Sequence, residues 1–376
     1  MIAKASTDED MDIDSCTTEV LIERVGWRPR FIANSMITIR DAVEPAFVVR
    51  VVESSSSGLL DNLPAEILHM VFNLLDLRSL SGFARVSYGG RATIASFPPY
   101  RDLIKHAYPA LVALGRTGLV TSHSIASLYH AMRSEKCVAC QEFGPFLFLP
   151  TSERCCYVCL HRIRSFRLIT AAMCRKCFGL TAKDLCQIPS LRSIPGTYSV
   201  GHTTTQKRRI KLFSLKHAET LGIAKYGSAE ALRAFTITQS LGKLTNLDVH
   251  EVAWLTGDPA TIGSDANIGT DRFCGMGSTI FPALKGDNLT ERGIWCLGCY
   301  INFLNFSKSN ILDSETKSLL SRPDLFGRTD PYFRLRDLEH QARSEADLIN
   351  HFRVCKGAKN LLRGLEPGAE ASKNWI

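Results

Sequence analysis

Several things are missing from this sequence, and each absence excludes a class of function. There is no apolar run approaching the roughly 20 residues that cross a bilayer. The oiliest short patch, FGPFLFLP, falls far below that length. The start, MIAKASTDEDMDIDS, is acidic and polar and lacks the apolar stretch of a secretory leader. No G-x-S-x-G, P-loop, H-E-x-x-H or G-x-G-x-x-G is present. No Asp/Glu pair has a spacing that sets it apart from a solvated surface, and His202 and His217 lack a nucleophile at a matching distance. Catalysis is therefore not expected, and no residue is nominated for it. No leucine-rich, WD or kelch period appears.

Charge of one sign is also not in large excess. The 45 Lys and Arg against 37 Asp and Glu leave +8 over 376 residues. The dense basic run is QKRRIKLFSLK, with Lys207, Arg208, Arg209, Lys211 and Lys216. Its first reading is a solvated face, and its second is a nuclear-import or phosphate-binding patch. A shorter basic stretch, HRIRSFR, carries His161, Arg162, Arg164, Phe166 and Arg167; its first reading is a solvated helix face, nucleic acid is not an expected partner, and this is the candidate that such a reading would need.

What the chain does have is cysteine. Thirteen are present, an odd number, and four pairs stand at C-x-x-C spacing. That argues for metal rather than for a disulfide framework. An intracellular protein with reduced thiols is expected, in the cytoplasm, the nucleus or both.

Composition divides the chain into segments. Residues 1–57 are expected to be a largely disordered N-terminal segment that ends in the Ser-rich linker SSSSG, with a possible strand at FVVRVV. A helical block is expected over 58–105, a zinc-knuckle module over 106–200, a connecting helical and loop region over 201–295, a second zinc module with a C-terminal helix over 296–365, and a tail over 366–376.

The helical block opens on LPAEILHMVFNLLD. Pro64 suits the first helical position and Glu66 the first turn, where the helix dipole favours an anion. Ile67, Leu68, Met70, Val71, Phe72, Leu74 and Leu75 cover an arc of roughly 200°. A helix packed on one core needs about half of that. A second amphipathic segment carries Leu80, Phe83, Ala84 and Val86. Gly89–Gly90 is expected to break it, and a third helix is expected near Tyr100 to Ala107.

Taken together, LPAEILHMVFNLLDLRSLSGFARVS resembles an F-box. Leu63, Pro64, Glu66, Ile67, Leu68, Val71, Phe72, Leu75, Leu80, Phe83 and Val86 fall in step with that family's pattern over about 45 residues. The chain departs from it after Val86–Ser87, where Tyr88, Gly89 and Gly90 stand in place of a basic residue and a Trp. The resemblance implies a docking module that binds the adaptor subunit of an SCF-type cullin–RING ubiquitin ligase, and through it a cullin, while the rest of the chain presents a protein substrate. The residues it implies as adaptor contacts are Leu63, Pro64, Ile67, Leu68, Val71, Phe72, Leu80, Phe83 and Val86.

Cys137, Cys140, Cys156 and Cys159 make C-x2-C-x15-C-x2-C, a specific signature for a Zn2+ site. The loop between them carries turn residues and an expected strand at Phe146 to Leu149. Cys155 beside Cys156 leaves the register ambiguous by one residue. Cys174 and Cys177 are a third pair that either completes a second cluster or stays as structural thiols. Downstream, Cys296 and Cys299 form a knuckle, and SEADLINHFRVC offers His351 and Cys355 on one expected helix face, opened by Ser344 with Asp347 as a capping box. Two Cys with a His and a Cys make a Cys3His zinc set. Cys16, Cys186 and Cys274 have no partner by spacing.

RCCYVCL, IPSLRSIPGTYS, GIWCLGC and HFRVC, in that order behind the F-box pattern, resemble a class of cysteine-rich filamentous-fungal F-box proteins. The expected fold is mainly α: a helical F-box, then a zinc-stabilised, mostly helical region with short strands. Two rival readings remain. A RING-like ubiquitin ligase needs a Cys two or three residues after its His, and Ile163 and Arg164 follow His161 there. A zinc-binding module outside a ligase, for nucleic acid or for protein, is the other.

Overall fold

The computed structural model describes residues 17–42, 56, 58–199, 203–240, 273–286, 288–321 and 327–364. FVVRVV and the linker, apart from Ser56 and Gly58, lie outside them, as do residues 1–16 and 365–376. The described chain is mainly helical, with strands of two to four residues.

The helical block holds α3 (Ala65–Leu74), α4 (Leu77–Val86), α5 (Tyr88–Ser96), α6 (Pro98–Thr117) and α7 (Ile125–Arg133). Capping chemistry sets its corners. Asp76 caps α4 by accepting from the Ser79 amide at 2.9 Å, and the Ser79 hydroxyl returns to the same carboxylate at 2.8 Å. Ser87 caps α5, accepting from the Gly90 amide at 2.9 Å. Gly89–Gly90 therefore does not break a helix; it sits in the first turn of one. The reason is packing: a Cβ on Gly90 would lie 2.9 Å from the Phe83 carbonyl, so only glycine lets α5 approach α4. Pro64 stands one position outside α3 as its N-cap. In α6, Pro109 cannot complete the helical ladder, and the chain bends two residues earlier, at Ala107.

Behind the block, β2 (Phe146–Phe148), inside the expected strand, pairs antiparallel with β3 (Glu153–Cys155) and β9 (Ser278–Ile280). A second sheet has the order β4 (Leu168–Thr170), β8 (Lys211–Ser214), β5 (Ser190–Arg192). A third has β1 (Gly26–Trp27), β12 (Ile294–Cys296), β13 (Ala342–Arg343). One apolar core runs from Phe72, Leu80 and Phe97 of the block through Met132 to Phe146, Phe148 and Cys159. The expected boundary at 105/106 is thus not a division. It falls inside α6, and the residues on both sides share that core.

Arg154 joins these layers. Arg154 is 1 % exposed, yet among the described residues it makes no ion pair, and Glu135 acts on it only at longer range. Instead Nε donates to the Ala131 carbonyl (2.9 Å), Nη1 to Gly144 (2.6 Å) and Phe281 (2.9 Å), and Nη2 to Pro282 (2.7 Å). The Ala131 carbonyl belongs to the last turn of α7, where a helix leaves acceptors unmet and favours a cation. Burial lowers the guanidinium to about 10, so it stays charged at neutral pH.

Residues 17–42 differ most from expectation. Composition placed them in a loose segment, but they form α1 (Thr18–Val25), β1 and α2 (Arg30–Asn34). Gly26 and Trp27 pair with Cys296 and Trp295, and Ile37 bridges to Thr279. Leu21 and Val25 are buried against residues more than two hundred positions away. Their partners are too distant in sequence for local composition to report them.

Replacing Arg154 by Met is expected to strand four carbonyls and lower stability by at least about 3 kcal/mol in urea unfolding, because unmet buried acceptors cost about 1–3 kcal/mol each.

Candidate metal centres and docking face

The first cluster is Cys137, Cys140, Cys156 and Cys159, whose sulfur atoms all lie within 4.8 Å of one another. Two local turns deliver them. The Gln141 amide bonds the Cys137 carbonyl at 3.0 Å, with Gln141 in the left-handed region at φ 63°, so the chain reverses directly after Cys140. Cys156 is the N-cap of α8 (Tyr157–Arg162), and its sulfur accepts from the Cys159 amide at 3.3 Å. The Val138 amide reaches the Arg154 carbonyl at 3.0 Å and docks the first turn on β3. The register ambiguity is resolved: Cys156 faces the cluster. Cys155 is a strand residue opposite Phe146, and burial raises its thiol far above the ordinary value.

The second cluster is Cys296, Cys299, His351 and Cys355. Cys296 ends β12, and Cys299 lies in the first turn of α12 (Leu297–Ser309). His351 lies on α15 (Glu345–Phe352), which Ser344 caps through the Asp347 amide at 3.1 Å. Cys355 is not on that helix. It is the N-cap of α16 (Lys356–Leu362), although its amide still bonds the His351 carbonyl at 3.0 Å. The i, i+4 spacing survives across a break between two helices.

What brings these elements together is a glycine crossing. A Cβ on Gly298 would lie 2.1 Å from the Ala358 nitrogen, and one on Gly357 would lie 2.2 Å from the Gly298 carbonyl oxygen. No other residue fits at either position. Asn302, one turn along α12, donates from Nδ2 to the Cys355 sulfur at 3.7 Å. Leu21 and Val25 of α1, with Leu348, Phe352 and Leu362, seal the cluster in an apolar shell. Gly298, Gly357, Asn302 and α1 all escaped the sequence reading. The two glycines were visible as C-L-G-C and C-K-G, but a spacing argument looks at the ligands.

Both clusters could hold a metal ion. Tetrahedral zinc with sulfur at about 2.3 Å requires sulfurs about 3.8 Å apart. Cys140 and Cys156 are 3.7 Å apart, and Cys296 and Cys355 are 3.9 Å apart. Cys299 sulfur and His351 Nε2, at 3.0 Å, are closer than a bridged pair, so that edge opens by about half an ångström on binding. Hydrogen bonds from Cys140, Cys156 and Cys159 hold the Cys137 thiol far below its usual value, while Cys137 in turn pushes Cys159 far above. Cys140 is lowered as well, and Cys156 is pushed up with Cys159. A dication among them would favour the thiolate form of all four.

Cys174 and Cys177 join neither cluster. They lie on α9 (Ala171–Phe178) in a separate apolar core with Phe178, Leu180 and Phe213. Burial pushes the Cys174 thiol up to about 12, the behaviour of a structural thiol. The RING reading loses its further ligand pair here. Cys186 is exposed and Cys274 is buried. Cys16 lies outside the described residues.

The implied adaptor contacts separate by burial into three sets. Leu63, Pro64, Ile67, Val71 and Val86 are exposed. Leu68 and Phe83 are half-buried against the core. Phe72 and Leu80 are 3 % and 0 % exposed, and this corrects their assignment: they are core residues, packed with Phe97 and Leu77. Periodicity measures the width of an apolar arc but not which part of it faces inward. In the structure Leu68 and Phe72 face in, while Ile67, Met70, Val71 and Leu74 form the opposite side of α3, and Leu63, just before the helix, is exposed too. Met70 and Leu74, absent from the implied set, are 65 % and 80 % exposed. No family model, no curated protein and no solved structure matches the chain.

Gly298→Ala is expected to drive a methyl group into the α16 backbone and open the second cluster. Amide hydrogen exchange should then speed several-fold in 18–27 and 356–362 and stay unchanged in 137–159.

Proposed function

We propose that the chain is a substrate receptor of an SCF-type cullin–RING ubiquitin ligase. Residues 58–105 act as its F-box, docking the adaptor subunit and through it a cullin. The remainder presents a protein substrate. The observation that carries this reading is the outward side of α3. A helix with an inward face of Leu68 and Phe72 has no internal need for Ile67, Met70, Val71 and Leu74 on its other face, nor for an exposed Leu63 just ahead of it. Contiguous apolar exposure of that kind marks an interaction site. Each large side chain fully covered would contribute about 1.5–3 kcal/mol, against the entropy lost on association.

In this reading the clusters hold Zn2+ through Cys137, Cys140, Cys156 and Cys159, and through Cys296, Cys299, His351 and Cys355. Four protein ligands leave no open position for water or substrate, so the metal is structural and the chain is not an enzyme. Asn302 is placed to steady a Cys355 thiolate by hydrogen bonding.

Co-purification of the full chain with an SCF adaptor tests the proposal. The native protein is expected to capture the adaptor. Ile67→Glu with Leu74→Glu should abolish capture and leave the melting temperature within a few degrees. Phe72→Ala should behave oppositely, costing about 3–5 kcal/mol of stability. A native chain that captures no adaptor contradicts the reading.

A further inference from the structure

Two basic stretches run through the chain, and folding treats them differently. In HRIRSFR the cations are used internally. Arg162 pairs with Asp337 at 2.5 Å and Arg164 with Glu219 at 2.9 Å, while Arg167 is buried. That stretch therefore offers nothing to a ligand.

The second stretch stays outside. Between Asp184 and Glu219 the sequence contains no acidic residue. Within that interval β5 and β8 pair antiparallel, and the register sets Arg192 directly opposite Lys211. Both are exposed. Like charges opposite each other on adjacent strands cost stability, and an ordinary solvated strand pair would alternate or mix its signs. Lys207, Arg208 and Arg209 fill the exposed chain that leads into β8. The base of this excursion is fixed, with the Ser193 amide on the Ile210 carbonyl at 2.9 Å and the Ile210 amide on the Ser193 hydroxyl at 3.0 Å. Arg209 donates to the Arg116 carbonyl at 3.4 Å, which carries the line toward a further cation, itself paired with Asp41. Among the described residues, Arg192, Lys207, Arg208 and Lys211 have no carboxylate partner. Lys211 lies over the Phe213 ring at 5.2 Å.

We propose that this cationic edge of the β4–β8–β5 sheet binds the phosphate backbone of a nucleic acid, independently of the docking face on α3. The observations favour a backbone over a single phosphorylated side chain. A phosphopeptide site needs a few guanidinium groups fixed for bidentate contact. Here the cations are exposed and lie along a strand and its lead-in. Such an arrangement follows a line of phosphates and reads no bases.

The test uses the full chain and a fluorescein-labelled mixed-sequence DNA duplex, read by anisotropy at two salt concentrations. Binding is expected at about 50 mM salt and should fall on the order of 100-fold or more by about 200 mM. The variant Arg192→Gln, Lys207→Gln, Arg208→Gln, Lys211→Gln should weaken binding at least tenfold and reduce the salt slope by about 3 to 4. A charge-matched control, Arg24→Gln, Arg78→Gln, Lys105→Gln, Lys308→Gln, changes exposed cations elsewhere and should keep most of the affinity. Circular dichroism and melting of both variants report folding. Absent binding at low salt overturns the proposal. So does equal weakening in the two variants, which would assign binding to net charge. So does tighter salt-resistant binding to a singly phosphorylated peptide than to the duplex.

Discussion

Four cysteine sulfurs held within 4.8 Å of one another cannot all be thiolates unless a cation lies among them. That constraint bears on most of the molecule. In the second cluster the ligands come from β12, α12, α15 and the N-cap of α16, and α1 covers them from the opposite end of the chain. Charge neutralisation there would add to the apolar packing that holds the glycine crossing. Structural zinc in small sites contributes on the order of 10–16 kcal/mol, comparable to the net stability of a whole domain. The first cluster is similarly placed. Cys137, Cys156 and Cys159 lie in the core that α3 to α7 share, so losing a metal held there would loosen the helical block as well.

Arg154 does with hydrogen bonds what the clusters do with ligands. It gathers the end of α7, the turn after the first knuckle and the chain following β9 around one buried charge. Its tolerance of burial depends on four carbonyls, not on an ion pair. The result couples the proposed docking helix to the rest of the chain. Phe72 and Leu80 belong to the same core as Phe146 and Cys159, so a partner on the proposed docking helix would hold the remainder in a defined orientation.

Much of this was legible in the sequence, for identifiable reasons. Helices α3 and α4, part of α6, the strand at Phe146, the Ser344 cap and both cysteine-rich sets follow from local rules: apolar period, turn chemistry and cysteine spacing. What was not legible depends on contacts distant in sequence. Nothing local to Leu21, Val25 or Gly26 indicates that they cover Cys296. Gly298 and Gly357 acquire meaning only once α12 and α16 cross. Phe72 and Ile67 are interchangeable to a periodicity argument, and only the packing of Phe97 separates them. Cys155 and Cys156 differ by one position, and the β2–β3 register decided between them.

The most direct test of the account is the zinc content of the full chain purified without chelators, measured by elemental analysis and native mass spectrometry. The two ligand sets predict two zinc ions per chain, with one lost in Cys137→Ser and the other in Cys355→Ser. A folded, cooperatively melting chain that carries less than one zinc and is indifferent to both substitutions would contradict it.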